Sequence, residues 1–209
     1  ARYDGKGFSY LSVEDGLVGN NVSHIAQTND KKLWIATTEG LSIYNGQEFK
    51  NFNTENGLLD NRIRTIFPEP DNSVWFAMGS HGINSGGLAR YNGKNFAFLT
   101  QNQGLSLNSL DAIHKDPDGE MWLGTLGMGF ASYQDGNFTL FSEPSGYPNM
   151  YVFQIFRDSK DILWIHSSSY GPEISLSRFD GQSFVHYGVK DGLGSPQGPD
   201  LPAYLDSDD

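Results

Sequence analysis

Leu33-Trp34-Ile35-Ala36-Thr37 returns three times along the chain, as Val74-Trp75-Phe76-Ala77-Met78, Met121-Trp122-Leu123-Gly124-Thr125 and Leu163-Trp164-Ile165-His166-Ser167. These four segments hold all 4 tryptophans of the protein, 41, 47 and 42 positions apart. A second landmark, an aromatic residue followed by Asx-Gly or a near variant, lies between them: Tyr3-Asp4-Gly5, Tyr44-Asn45-Gly46, Tyr91-Asn92-Gly93, Gln134-Asp135-Gly136 and Phe179-Asp180-Gly181. Phe follows each, at Phe8, Phe49, Phe96, Phe138 and Phe184. From each of the first four of these glycines to the next tryptophan is 29, 29, 29 and 28 residues, a spacing that chance recurrence does not hold. The chain is a tandem repeat, and the period decides its architecture before local propensity does.

Within one unit the apolar residues alternate with polar ones, β-branched and aromatic residues abound, and turn pairs bound each run, so the unit reads as four short strands. In the first unit these are Val22 to Gln27, Leu33 to Thr37, Leu41 to Tyr44 and Phe49 to Phe52. Asx-Gly pairs read as hairpin turns, because both residues tolerate positive φ. A third landmark connects one unit to the next: Asp15-Gly16-Leu17, Asn56-Gly57-Leu58, Gln103-Gly104-Leu105 and Asp191-Gly192-Leu193, with Ser145-Gly146-Tyr147 as the departing variant. Four-stranded units of this length in tandem predict an all-β fold, a β-propeller of antiparallel blades. Helical repeats would need apolar residues at 3.6 spacing, which 25 glycines and the alternation break. The tryptophans are expected in the core, between neighbouring sheets.

The reading gives one propeller segment over 1–209: a partial blade at 1–12, complete blades at about 22–53, 62–100, 109–142 and 150–187, and a partial blade at 201–209. Joining the two ends would leave a fifth blade without its second strand, and so with unpaired sheet edges. An arc of a larger propeller is the first explanation. Association of chains into a completed ring, as a homodimer for instance, and imperfect closure of four blades are the others.

With 37% hydrophobic, 13% aromatic and 19% charged residues, the composition is that of a folded protein. A formal net charge of −11 opposes binding to a phosphate backbone or an anionic membrane, so no nucleic-acid partner is expected. No run reaches the roughly 18 apolar residues of a membrane span, and the chain reads as soluble and as processed or excised. The absence of cysteine removes disulfides, thiolate metal sites and cysteine nucleophiles, and is compatible with either redox compartment.

The combination of the tryptophan segment, the Tyr-Asx-Gly-x-x-Phe hairpin and the Asx-Gly-Leu connection resembles the two-component regulator propeller repeat, from Tyr3 to Leu193. The fourth unit departs most, with His166-Ser167 and Ser145-Gly146-Tyr147. The resemblance implies a seven-bladed propeller, usually paired in tandem, forming the periplasmic sensor region of a hybrid two-component system. It implies a downstream signalling module in the parent chain and, in gut and marine Bacteroidota, an oligosaccharide ligand. The same repeat occurs in secreted or lipid-anchored proteins without a kinase, and sequence-based naming sometimes confuses it with streptogramin lyases, themselves seven-bladed propellers.

The distance from tryptophan to the Asx-Gly glycine is 12, 18, 14 and 17 residues, so the second and fourth units carry extra loop between their second and third strands. Such loops lie on the face that also bears the blade-to-blade connections, and binding residues generally sit on loops held by a rigid scaffold. One face would gather His81, Asn84, Tyr147, Tyr170 and Glu173, aromatic rings beside amide and carboxylate groups, a set that suits sugars. The remaining histidines, His24, His114, His166 and His186, occupy different repeat positions and form no convergent metal set. Acidic turns such as Asp116-Pro117-Asp118-Gly119 stand where hairpin turns are expected and lack EF-hand spacing. No nucleophile elbow, phosphate loop or zinc-binding helix is present in the sequence, and the scattered Glu120, Glu143 and Glu173 do not by themselves identify a catalytic carboxylate pair. The expected function is non-catalytic, cofactor-free and metal-free recognition of an oligosaccharide or other small ligand, in the periplasm or outside the cell. A secreted propeller lyase or hydrolase, and a structural or adhesive propeller with protein partners, are the alternatives.

Overall fold

The computed structural model describes residues 1–3, 5–79, 87–100, 110–142, 145–147, 151–168 and 176–193. Four antiparallel four-stranded sheets and one two-stranded hairpin make up its regular structure. The hairpin joins β1 (Arg2–Tyr3) to β2 (Phe8–Ser9). The first full sheet runs β3 (Val22–Gln27), β4 (Leu33–Thr37), β5 (Leu41–Tyr44), β6 (Phe49–Phe52), and the second β7 (Ile63–Pro68), β8 (Val74–Met78), β9 (Gly87–Tyr91), β10 (Phe96–Leu99). The third comprises β11 (Leu110–Lys115), β12 (Met121–Thr125), β13 (Phe130–Gln134), β14 (Asn137–Phe141). The fourth comprises β15 (Tyr151–Arg157), β16 (Leu163–Ser168), β17 (Leu176–Phe179), β18 (Phe184–Tyr187). In each sheet the spatial order follows the chain, as a propeller blade requires. The segment 201–209, read as a further first strand, lies outside the described residues. Packing divides the chain into two compact units, one holding the sheets up to β10 and the other those from β11.

Within each unit the first strand of the second sheet packs against the first two strands of the sheet before it, β7 against β3 and β4, and β15 against β11 and β12. This approach needs small side chains two residues after the tryptophan, where Ala36 and Gly124 stand. A Cβ built on Gly124 would come within 2.6 Å of Val152 Cγ1 and 2.9 Å of Ala112 Cβ. Around the tryptophan the seam is aromatic. Trp34 meets Tyr91 of the next sheet edge-on at 5.7 Å, and Trp122 meets Phe179 at 6.2 Å. Trp34 and Trp122 are accordingly buried, with Phe52, Leu58 and Phe76 in one core and Phe130, Tyr147 and Phe179 in the other.

The turns repeat as closely as the strands. The first hairpin of every sheet places a residue three positions before tryptophan at positive φ: Lys31 at 68°, Asn72 at 65°, Gly119 at 99° and Asp161 at 64°. The Asx-Gly hairpins work differently from the expectation that both residues take positive φ. Asp135 and Gly136 do so, at 51° and 86°. At Asn45, Asn92 and Asp180 the side-chain oxygen instead accepts two backbone N–H groups, from Gln47 and Glu48, Lys94 and Asn95, and Gln182 and Ser183, leaving only the glycine left-handed.

The indole N–H separates the repeats. Trp122 donates to Asp116 Oδ2 at 2.7 Å and Trp164 to Asp158 Oδ2 at 2.7 Å. At the same place before Trp34 stands Thr28, whose hydroxyl is committed to Asp30 and to the Lys32 carbonyl, and the buried Trp34 N–H has no partner among the described residues. Asp116 does more: Arg157, from the first strand of the next sheet, donates to its Oδ1 from Nε at 2.8 Å and to its Oδ2 from Nη2. Burial pushes the Asp116 carboxyl up, but the bonds from Arg157 and Trp122 outweigh it and hold the group below the usual carboxylate range. Removing a buried partner strands the other charge, so Asp116→Ala is expected to lower stability by about 3 kcal/mol or more. Asp158→Ala, at a more exposed position, should cost about 1 kcal/mol. Urea denaturation of the two variants checks the order.

In the first unit the inter-sheet seam is closed by His24. Ile66 N–H donates to His24 Nδ1 at 3.3 Å and the Thr65 hydroxyl lies 3.0 Å from the same nitrogen, so the neutral ring carries its proton on Nε2. Burial pushes this imidazole below its ordinary value of 6.5. The unfolded chain therefore binds the proton first, and the stability held by the neutral ring is complete above pH 6.5 and lost as pH falls below it. His24→Gln is expected to flatten the decline of thermal stability below that pH, in a melting series across the acid limb.

Candidate functional site

Antiparallel order places four strand ends together at one edge of every sheet: the start of the first strand, the end of the second, the start of the third and the end of the fourth. The extra loops of the second and fourth units leave from this edge, between Met78 and Gly87 and between Ser168 and Leu176. The two sheets without them share a feature three positions after tryptophan. Thr37 is buried, donates its hydroxyl to the Gly40 carbonyl at 2.9 Å and accepts from Glu39 N–H at 3.1 Å. Thr125 does the same with the Gly129 carbonyl at 2.7 Å and Met128 N–H at 2.9 Å. Threonine thus caps a tight turn. The second sheet has Met78 there, which offers no hydroxyl, and the fourth has Ser167, and these two sheets carry the longer loops.

The same edge holds a feature that the sequence reading missed. In all four sheets the pairing of the first two strands slips by one residue, between Val22 and His24, Ile63 and Thr65, Leu110 and Ala112, and Val152 and Gln154. The extra residue, eleven positions before tryptophan each time, is Ser23, Arg64, Asp111 or Phe153. Bulges re-aim side chains and gather beside functional sites. Ser23 donates to the Ile63 carbonyl at 2.6 Å, Arg64 Nε donates to the Gly79 carbonyl at 3.3 Å, and the Phe153 ring lies 5.9 Å from the His166 ring. His166 fills the position held by Ala36, Ala77 and Gly124 elsewhere, and burial pushes its imidazole below the ordinary value. One variable side chain per sheet therefore stands at the loop-bearing edge: a hydroxyl, a guanidinium, a carboxylate and an aromatic ring. Each differs in kind, so no residue-type pattern marks the position. The only sequence signal is the broken period-2 alternation before the tryptophan.

Of the five residues expected to form the binding face, His81, Asn84, Tyr170 and Glu173 lie outside the described residues. Tyr147 is described, and it is fully buried. Its N–H donates to the Ser142 carbonyl at 3.1 Å, as Leu17 N–H does to Ser12 and Leu58 N–H to Asn53. Tyr147 is thus the counterpart of Leu17 and Leu58, both also buried, and its ring packs edge-on to Phe130 at 4.8 Å and beside Phe184 at 5.4 Å. A ring enclosed in this way has no face left for stacking on a sugar. Among the described residues no group of three or more His, Asp and Glu could hold a metal ion, and no helix is long and apolar enough to cross a membrane.

Residues 16–39 and 104–127 match the family model of the two component regulator propeller. These two stretches are similar to the two-component regulator propeller repeat. Among solved structures it is similar to the extracellular domain of a protein described as a hybrid two component system from B. thetaiotaomicron. That likeness has a TM-score of 0.67 and 25% identity over 85% of this chain and 24% of that one. A second such extracellular domain from B. thetaiotaomicron gives a TM-score of 0.61 at 22% identity, over 96% of this chain and 23% of that one. Virginiamycin B lyase from Staphylococcus aureus gives 0.58 at 16% identity, over 80% and 55%, a likeness of fold. The chain spans about a quarter of the length of the two extracellular domains. Comparison with curated proteins gives no match.

The burial of Tyr147 makes it a stability residue. Tyr147→Ala is expected to lower stability by about 3 to 5 kcal/mol, the range for emptying a large aromatic site in a core. Chemical denaturation monitored by tryptophan fluorescence measures it.

Proposed function

We propose that this chain is a ligand-recognising propeller segment of a bacterial two-component sensor working in the periplasm or outside the cell, and that its ligand is an oligosaccharide. The observation that carries the reading is the concentration of variation at the same edge of each sheet in an otherwise repetitive chain. Tryptophans and hairpins recur from sheet to sheet, whereas the bulge residues Ser23, Arg64, Asp111 and Phe153 differ in every sheet and long loops mark two of them. The two-component repeats and the likeness to extracellular sensor domains support the class. A saccharide offers hydroxyls that take charged and neutral hydrogen-bonding partners, and C–H faces that stack on rings. His81, Asn84, Tyr170 and Glu173, on the long loops, supply the same chemistry and join the proposed contact set. Recognition becomes a signal when the ligand binds more tightly to one arrangement of propeller and downstream module than to the other.

A lyase or hydrolase acting on a polysaccharide or small molecule is the second reading, favoured by the shared fold with virginiamycin B lyase. Titration calorimetry against plant, algal and host oligosaccharides, with product analysis of the same samples, separates the two. The expected result is binding heat with no new reducing ends or unsaturated sugars, and a loss of about tenfold or more in affinity for Tyr170→Ala and for Arg64→Ala. Product formation would transfer the protein to the enzyme class. Absence of heat across the panel would sink the oligosaccharide reading.

A further inference from the structure

The sequence holds three Asn-Gly pairs, Asn45-Gly46, Asn56-Gly57 and Asn92-Gly93, and all three are exposed. Glycine is the residue whose backbone nitrogen most easily reaches the side-chain amide carbon of a preceding asparagine, because it has no Cβ to hinder the approach. The three glycine N–H groups make no hydrogen bond among the described residues, so the pairs differ in the state of the amide itself.

In the two hairpins the amide oxygen is gripped twice. Asn45 Oδ1 accepts from Gln47 N–H and Glu48 N–H, both at 2.9 Å, and Asn92 Oδ1 accepts from Lys94 N–H at 3.0 Å and Asn95 N–H at 2.9 Å. A carbonyl oxygen held by two N–H donors is polarised, and the donors already face the negative charge that the oxygen takes up when its carbon is attacked. The nitrogen that must leave is loosely held. Asn45 Nδ2 reaches Glu48 Oε1 at 3.4 Å, and Asn92 Nδ2 has no hydrogen-bond partner among the described residues. A Cβ built on Gly46 or Gly93 would meet nothing within 4 Å, so these turns have room for a ring to close. Asn56, in the connection between sheets, is held in the opposite sense. Its Oδ1 accepts a single N–H, from Asn53 at 2.7 Å, and its Nδ2 donates to the Asn51 carbonyl at 3.1 Å. A Cβ on Gly57 would come within 3.3 Å of the Phe96 ring.

We propose that the hairpin turns at Asn45-Gly46 and Asn92-Gly93 are self-modifying sites, at which the fold itself promotes deamidation of asparagine. The glycine nitrogen bonds to asparagine Cγ, the Cγ–Nδ2 bond breaks, and ammonia leaves with the proton that the glycine N–H gives up. Water then opens the cyclic imide, at the side-chain carbonyl to give aspartate or at the backbone carbonyl to give isoaspartate. The repeat already has a place for the aspartate. In the same turn of the fourth sheet, Asp180 Oδ1 accepts from Gln182 N–H at 2.9 Å and Ser183 N–H at 2.8 Å. The bonds from Ser183 and Gln182 hold that carboxyl below the usual carboxylate range. Each conversion adds a negative charge to a chain whose net charge is −11. It does so at the edge of the sheet opposite the long loops, so the proposal is independent of any saccharide.

Peptide mapping by mass spectrometry tests it on the whole 209-residue chain, incubated in warm, mildly alkaline buffer, folded and in guanidinium chloride. In the folded chain Asn45 and Asn92 are expected to convert about tenfold or more faster than Asn56, the worth of one further hydrogen bond to the reacting oxygen. Both are also expected to convert faster folded than unfolded, because denaturant removes the donors. Gln47→Pro deletes one of the two donors to Asn45 and leaves the Asn45-Gly46 pair intact. It should slow conversion at Asn45 severalfold, with the unchanged rate at Asn92 as the reference within the same molecule. Conversion at Asn45 and Asn92 that is slower folded than unfolded, as a merely protective fold would give, overturns the proposal. So does a folded rate at Asn56 equal to theirs, or a rate at Asn45 that Gln47→Pro does not lower.

Discussion

The contact on which the structure depends is the wedge of a tryptophan into the paired aromatic rings of the neighbouring sheet. An indole of this kind removes about 200 Å² of mostly apolar surface from water, worth about 5 kcal/mol before the entropy of ordering is subtracted. That energy is available only when the next sheet arrives at the right distance, which the small residues at Ala36 and Gly124 permit. A sheet of this repeat therefore cannot be stable by itself, because it shares its core with a neighbour. The remaining polar contacts refine this seam. Arg157 to Asp116 in one unit and His24 to Thr65 and Ile66 in the other stitch first strands together with groups that are costly to leave unpaired.

Much of this was legible because the wedge needs the same residue types at the same spacing every time. Tryptophan, the hairpin aromatic and its following Phe recur at nearly fixed distances, and the strands fall where they mark them: β3 to β6 occupy the runs that the alternation defines. The long-loop sheets were legible as well, and in the two short turns the structure shows a buried threonine hydroxyl closing the turn, at Thr37 and Thr125.

Other features were hidden for physical reasons. Tyr147 breaks the Gly-Leu spelling of its connection, and an aromatic in a loop suggests a surface ring. Its backbone makes the same turn as at Leu17 and Leu58, so its side chain is carried to the same interior place. The bulges escaped notice because pairing register is a relation between two strands, and no single residue type encodes it at Ser23, Arg64, Asp111 and Phe153. The Asx-Gly turns were recognised, but the mechanism differs, since among the described residues Asn45, Asn92 and Asp180 rely on a side-chain oxygen to gather two amide groups and of the Asx residues in these turns only Asp135 enters the left-handed region itself.

The bulge has a bearing on how such a protein diversifies. Inserting one residue shifts the pleat by half a period, so the inserted side chain belongs to neither the inward nor the outward row of its strand. Substitution there leaves the alternation on both sides in phase. Folding instructions and chemical identity are in this way written at separate letters of the repeat, and a lineage can rewrite one residue in each sheet without renegotiating the interior that holds the sheets together.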